Sequence, residues 1–171
     1  SLTHRLHIGL GLSLVLLMGL IGWLIYDQNQ RMIDELVVSR LEHDGESLLA
    51  ALQLDDRGKA TLAKGSISAI YQQPLSGHYF LVRTENGEAL RSRSLWDAEL
   101  SGEKLAAGEQ QLHRINGPAE QPLLLWVAGY NKSNQSVTIM VAEDITKLQQ
   151  RLLENAMLLL ALTVMFLFLI L

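Results

Sequence analysis

IGLGLSLVLLMGLIGWLIY, from Ile8 to Tyr26, is the stretch whose reading decides the architecture. It runs for 19 residues without a charge. As an α-helix it would span about 28 Å, close to the hydrocarbon thickness of a bilayer. A secretory signal peptide has a shorter apolar core and a small-residue cleavage site, and neither is present. Trp23 and Tyr26 stand near its downstream end, where amphipathic rings favour the membrane–water interface. The stretch therefore predicts a transmembrane helix over residues 8–26. A second uncharged run, Ala156 to Leu171, predicts another over 155–171. It is short for a crossing, so the parent chain is expected to continue past Leu171.

Outward from these runs, His4, Arg5 and His7 precede the first and Asp27 follows it. The asymmetry places residues 1–7 in the cytoplasm and residues 27–154 on the other side of the membrane. The chain has 171 residues, 49% of them hydrophobic, no cysteine and a formal net charge of -4. Absence of cysteine suits an extracytoplasmic domain without disulfides, and equally a cytosolic one. No nucleic-acid partner is expected.

Between the runs, the helical pattern continues beyond Tyr26. Ile33, Leu36, Val37, Leu41, Leu48, Leu49 and Leu52 recur at spacings of three and four, with Asp34, Glu35, Glu42, His43 and Glu46 on the more polar face. No proline interrupts this helix before Gln53, and Asp55-Asp56-Arg57-Gly58 supplies a turn. A short helix is expected around Ile67–Tyr71. Strands follow over 78–83 and 89–94, joined by the hairpin signal Asn86-Gly87, then over 110–115, 122–130 and 136–142. Asp144 is a suitable N-cap for a last helix carrying Ile145, Leu148, Leu152 and Leu153. The order predicts an α+β fold: an antiparallel sheet of about five strands packed on a long N-terminal helix, flanked by two transmembrane helices.

Three groups of residues carry candidate chemistry. Arg91 and Arg93 alternate onto one face of their expected strand. With Tyr79, Trp96 and Asp97 nearby, they form a candidate ligand or signal-sensing group that can hold an anion by charge-assisted hydrogen bonds. The alternative is an exposed basic strand face, with Trp96 and Trp126 in the core. Second, residues 27–56 hold eight acids and two bases. Glu42, Asp44 and Glu46 are candidates to collect Mg²⁺, Ca²⁺, a transition metal or a cationic peptide. The competing reading is a solvated helix face with local pairs such as Arg40–Asp44, and the lack of a compact ligand loop favours it. Asp44 stands apart, because it falls on the apolar stripe between Leu41 and Leu48 and needs a partner there. Third, Leu41, Leu48, Leu148 and Leu152 are candidates for packing that transmits a signal between helices. Small residues in the first run, such as Gly9 and Ser13, are compatible with helix contact in a dimer. The chain has no nucleotide-binding glycine loop, HExxH metal pair or nucleophile elbow, and no catalytic residue is assigned within it.

The segments Leu41-Glu-His-Asp-Gly-Glu-Ser-Leu-Leu49, Ser76-Gly-His-Tyr-Phe80, Ser92-Arg-Ser-Leu-Trp-Asp97 and Val141-Ala-Glu-Asp144 resemble those of proteobacterial two-component sensor histidine kinases of the PhoQ and QseC types. The resemblance covers nearly the whole chain, in the same order. It implies a PAS-like (PDC) periplasmic sensor domain, a two-pass inner-membrane protein and a homodimer. It also implies a cytoplasmic part beyond Leu171 that uses ATP and Mg to phosphorylate a histidine and then a response regulator. Two other readings stay open: a chemoreceptor or cyclic-dinucleotide enzyme with the same sensor, and a non-signalling envelope scaffold.

Overall fold

In the computed structural model the chain runs α1 (Leu2–Ala51), β1 (Leu52–Leu54), β2 (Ala60–Leu62), β3 (His78–Thr84), β4 (Ala89–Arg91), β5 (Gln110–Asn116), β6 (Pro122–Lys132), β7 (Gln135–Asp144) and α2 (Thr146–Ile170). The structure describes residues 2–55, 59–63, 65–87 and 89–170; the side chains of 2–8, 10, 12, 33, 166, 167, 169 and 170 lie outside that description. Two compact units result. One comprises residues 1–35 with 147–171, and the other residues 36–146. Helix α1 is continuous in sequence and contributes residues to both.

The second unit is built on a five-stranded antiparallel sheet in the order β4-β3-β7-β6-β5. Its centre is the β6–β7 hairpin, whose two-residue turn has positive φ at both Ser133 (53°) and Asn134 (63°). That geometry matches the right-handed twist of the strands, and asparagine tolerates it. Residues 123–129 of β6 and 137–143 of β7 are buried throughout, not alternately, so both faces of the sheet are covered. Val137, Ile139 and Val141 point to one face and Thr138, Met140 and Ala142 to the other, with period two.

One face carries Tyr79, Leu81, Leu123, Leu125, Val127, Met140 and Ala142, and it is closed by Leu95, Leu100 and Leu105 from the irregular segment 95–109. Backbone bonds to Gly129 of β6 hold its far end, and side chains of the sheet hold its middle. Arg83 donates from Nη1 to the Gly102 carbonyl (2.9 Å), and Thr138 Oγ1 accepts from the Leu105 N–H (3.2 Å). Gly129 permits the approach, since a Cβ there would lie 2.2 Å from the Ala106 carbonyl oxygen.

The opposite face receives the last turns of α1. Val37, Leu41, Leu48 and Leu52 are buried, as their spacing predicts, whereas Leu36 is 62% exposed. The stripe is narrower than the sequence suggests, and Leu36 lies beside it. At Gly45 a Cβ would meet Trp126 Cζ3 at 2.2 Å. The indole of β6 thus rests directly on helix backbone. Further along, Lys132 Nζ donates to the Leu49 carbonyl, one of the last carbonyls of α1.

The sequence reading ends α1 near Gln53, but the helix stops at Ala51. Leu52–Leu54 instead pairs with Ala60–Leu62 in a small antiparallel ladder that sequence reasoning missed. Of the expected turn at 55–58, Asp55 accepts the Lys59 N–H (2.8 Å), while 56–58 lie outside the described residues. The expected helix near 67–71 is a 3-10 turn over Ala69–Gln72. At the far end, the Asp144 carboxylate accepts the Thr146 N–H (2.8 Å) and caps α2 as expected.

In the first unit, residues of α1 such as Met18, Gly22 and Ile25 share a groove with Leu152, Ala156 and Leu159 of α2, and Leu152 is 6% exposed. Nothing lies within 4 Å of a Cβ built at Gly9, Gly11, Gly19 or Gly22. Among the described residues no helix is long and apolar enough to cross a membrane.

Adding a methyl group at Gly45 should therefore cost stability, although alanine is the better helix former. Gly45→Ala is expected to destabilise the chain by about 2 kcal/mol, the usual range for overpacking. Pairing it with Trp126→Leu should cost less than the sum of the two single changes. Denaturant unfolding of the purified chain followed by circular dichroism measures both.

Candidate functional site: a cleft beside the edge strand and a polar seam under the helix

Strand β4 is the sheet edge, and the chain leaves it through a 3-10 turn, Arg93–Leu95. Two buried serines fix that turn to β3. The Phe80 N–H donates to Ser92 Oγ (3.1 Å), and Ser94 Oγ donates to the His78 carbonyl (2.6 Å). Arg93 therefore projects from between two anchored residues. Trp96 ends the turn with φ 53° and ψ -117°, a backbone conformation that side chains rarely adopt, and its side chain is 58% exposed. Such a residue costs of order 1–3 kcal/mol.

These residues line an open cleft of about 510 Å³, within the range of small-molecule sites. Arg91, Arg93, Trp96 and Asp97 line it together with the apolar residues Leu62, Ile67, Phe80 and Leu90; Arg91 stands across from Leu81 in the register and also borders a smaller cavity with Leu81, Leu95 and Leu100. Among the described residues neither guanidinium has an ion-pair partner. Four of the five residues singled out from the sequence thus meet in one cleft. The route differs from the expected one, because β4 ends at Arg91 and Arg93 is not on the strand. Tyr79 is elsewhere: fully buried on the face closed by segment 95–109, it donates to Gln121 Oε1 (2.6 Å). Trp126 is a core residue at 2% exposure, whereas the expectation of a core role for Trp96 fails. The lining residue Leu62 belongs to the small β1–β2 ladder, which no strong turn motif announces, and so this part of the cleft was missed.

The acidic residues of α1 separate into different neighbourhoods. Asp44 has the partner its position requires, since Tyr71 Oη donates to its Oδ2 at 2.5 Å. Burial, and then that carboxylate, push the Tyr71 phenol well above its ordinary value, so it stays protonated as a donor. Glu46 and Glu42 instead bear on Tyr130, whose phenol is raised first by burial and then by them. The expected Arg40–Asp44 pair is replaced, for Arg40 Nη1 contacts Glu143 Oε1 at 3.1 Å. Among the described residues no group of three His, Cys, Asp or Glu side chains is placed to hold a metal ion. Of the helix-packing candidates, Leu41 and Leu48 are buried in the second unit, and Leu152 is buried and Leu148 half-buried in the first.

Glu143 is the residue sequence reasoning passed over. It is 6% exposed, stands opposite His78 in the β3–β7 register, and its Oε2 has no hydrogen-bond partner. Burial raises its carboxyl above the ordinary carboxylate range, while Arg40 and His78 oppose the shift and Asp44 and Asp144 add to it. Its acidic neighbour Asp144 marks the end of a strand, but nothing in the local sequence distinguishes an inward glutamate there.

The chain is 33% identical over 150 residues to the sensor protein kinase CarS of Pseudomonas aeruginosa. The match covers 85% of this chain and 32% of that protein, so the chain spans about a third of the relative's length. The resemblance to sensor kinases that the sequence segments carry is thus shown. No family model and no solved structure matches the chain.

Two outcomes follow from the geometry. Because folding raises the Glu143 carboxyl, the folded state binds the extra proton, and its contribution to stability falls as pH rises from about 4.3, the unfolded value, through the folded one. Glu143→Gln should abolish that fall, so the difference between wild-type and variant melting curves is largest above the folded value and vanishes below pH 4. Trp96→Gly should raise stability by about 1 kcal/mol, since glycine accepts positive φ and little burial is lost. Thermal melts of the variant against wild type decide the sign.

Proposed function

We propose that this chain is the signal-sensing and transmembrane-signalling region of a bacterial sensor histidine kinase. The observation that carries the reading is its 33% identity to a sensor protein kinase across 85% of its length. In this reading residues 8–26 and 155–171 anchor the chain in the inner membrane, and 27–154 form a PAS-like periplasmic domain. The two spans rest on the uncharged runs of the sequence. The cleft at Arg91, Arg93 and Trp96 receives the stimulus. Helices α1 and α2 carry the response, with Leu41, Leu48, Leu148 and Leu152 as their packing contacts. A stimulus acts only if it binds two arrangements of these helices with different affinity. ATP- and Mg-dependent phosphorylation of a histidine, and transfer to a cytoplasmic response regulator, belong to a part of the protein outside these 171 residues. The functional unit is a homodimer, which lets one subunit's helices shift against the other's.

That the apolar run and residues 36–51 fall within one helix, Leu2–Ala51, supports this reading. Because the chain lacks cysteine, single-cysteine variants report position directly. In intact cells with a permeabilised outer membrane, an impermeant maleimide should label Ser101→Cys of the full-length protein from which any cysteine outside these 171 residues has been removed. Oxidation of single-cysteine variants over residues 31–52 should link two copies at some exposed positions and spare Val37, Leu41 and Leu48. Labelling of Ser101→Cys only after cell lysis, or no cross-link at any position, would count decisively against a dimeric transmembrane sensor.

A further inference from the structure

The cleft beside β4 is lined by two unlike sets of residues, and together they specify a ligand more narrowly than either alone. Among its charged lining residues Arg91 and Arg93 carry two positive charges and Asp97 one negative, leaving a single net positive charge. Leu62, Ile67, Phe80 and Leu90 offer aliphatic and aromatic surface. The Trp96 indole, also in the lining, is 58% exposed on a backbone held at positive φ. An exposed aromatic ring offers a ligand a large apolar face to cover.

We propose that this cleft binds a small amphiphilic monoanion: a carboxylate on an aryl or short alkyl body. The head group is taken by Arg91 and Arg93, and the body lies against Leu62, Ile67, Phe80 and Leu90 under the Trp96 ring. Asp97 sets the charge of the ligand, since a dianion would meet a repulsive carboxylate while one negative charge is matched. A neutral molecule would leave the guanidinia without the charge-assisted hydrogen bonds that a carboxylate supplies. The inference rests on the reading of the domain as a sensor and names the ligand class for its cleft.

The test is a ¹⁹F NMR titration of 3-(4-fluorophenyl)propionate with the whole chain in lipid nanodiscs at pH 7, against empty nanodiscs. Saturable broadening is expected with the chain only. The matching alcohol, 3-(4-fluorophenyl)propan-1-ol, should bind at least tenfold more weakly. Acetate and inorganic phosphate should displace the probe only at concentrations at least tenfold above its own. Arg91→Gln/Arg93→Gln should lose at least tenfold in affinity with an unchanged melting temperature, because both side chains are exposed. Equal binding of the alcohol overturns the role of the charge, and equal competition by acetate or phosphate overturns the role of the apolar lining. Binding that survives in the double variant places the ligand elsewhere and overturns the proposal. No binding, with maleimide labelling and cross-links as expected above, removes this ligand class and leaves the sensor reading standing. Failed labelling removes the sensor reading whatever the titration shows.

Discussion

The approach of α1 to the sheet at Gly45 is the constraint on which the second unit depends. With no side chain at that position, the Trp126 indole lies against the helix backbone. The separation it sets brings Arg40 within reach of Glu143 and Asp44 within reach of Tyr71. A larger residue would lift the helix and stretch both contacts together. The apolar positions Val37, Leu41, Leu48 and Leu52 supply the burial that holds it down. Packing and polar pairing are therefore mutually conditional across this face.

The polar contacts under the helix are unevenly satisfied. Asp44 and Tyr71 form a matched acceptor and donor, and the tyrosine ring also meets Phe80 edge-on at 5.4 Å between centroids. Glu143 has one oxygen on Arg40 and the other without a hydrogen-bond partner. A buried charge with half its bonding capacity unused opposes the docking that the leucines favour. The helix is thus held by apolar contact and loosened by one carboxylate. Few changes to either would be needed to alter the balance, which suits an element proposed to move.

Much of this arrangement is legible in the sequence where periodicity or turn chemistry is strong. The three- and four-residue spacing from Val37 to Leu48 gives the helix and its buried face, and Asn86-Gly87 gives the β3–β4 turn, with Gly87 at φ 83°. The alternation in 137–142 gives β7, although burial on both faces makes each set of side chains internal. Legibility fails where tertiary contact overrides local preference. β1 and β2 are three residues each and owe their conformation to pairing with one another. Arg91 and Arg93 read as strand neighbours, yet the chain turns at Ser92 because β3 binds that hydroxyl. Trp96 reads as core because aromatic residues usually are; its exposure follows from a turn geometry that no single residue type announces. Glu143 is invisible as a buried group because its partner, Arg40, lies more than a hundred residues away in the chain.

That separation bears on the order in which the unit assembles. The β6–β7 hairpin closes over a two-residue turn, and its pairing is local. Contacts of α1 with the sheet join Arg40 to Glu143, Gly45 to Trp126 and Leu49 to Lys132, so each must close a long loop of chain. Loop closure raises the entropic cost of such contacts, and it must be met before they return any stability. Docking of α1 is then the late event of folding and the first to be undone in partial opening. The face that meets the helix would detach as a unit while the hairpin and its ladder persist, giving slow amide exchange in β6 and β7 alongside faster exchange in residues 36–51.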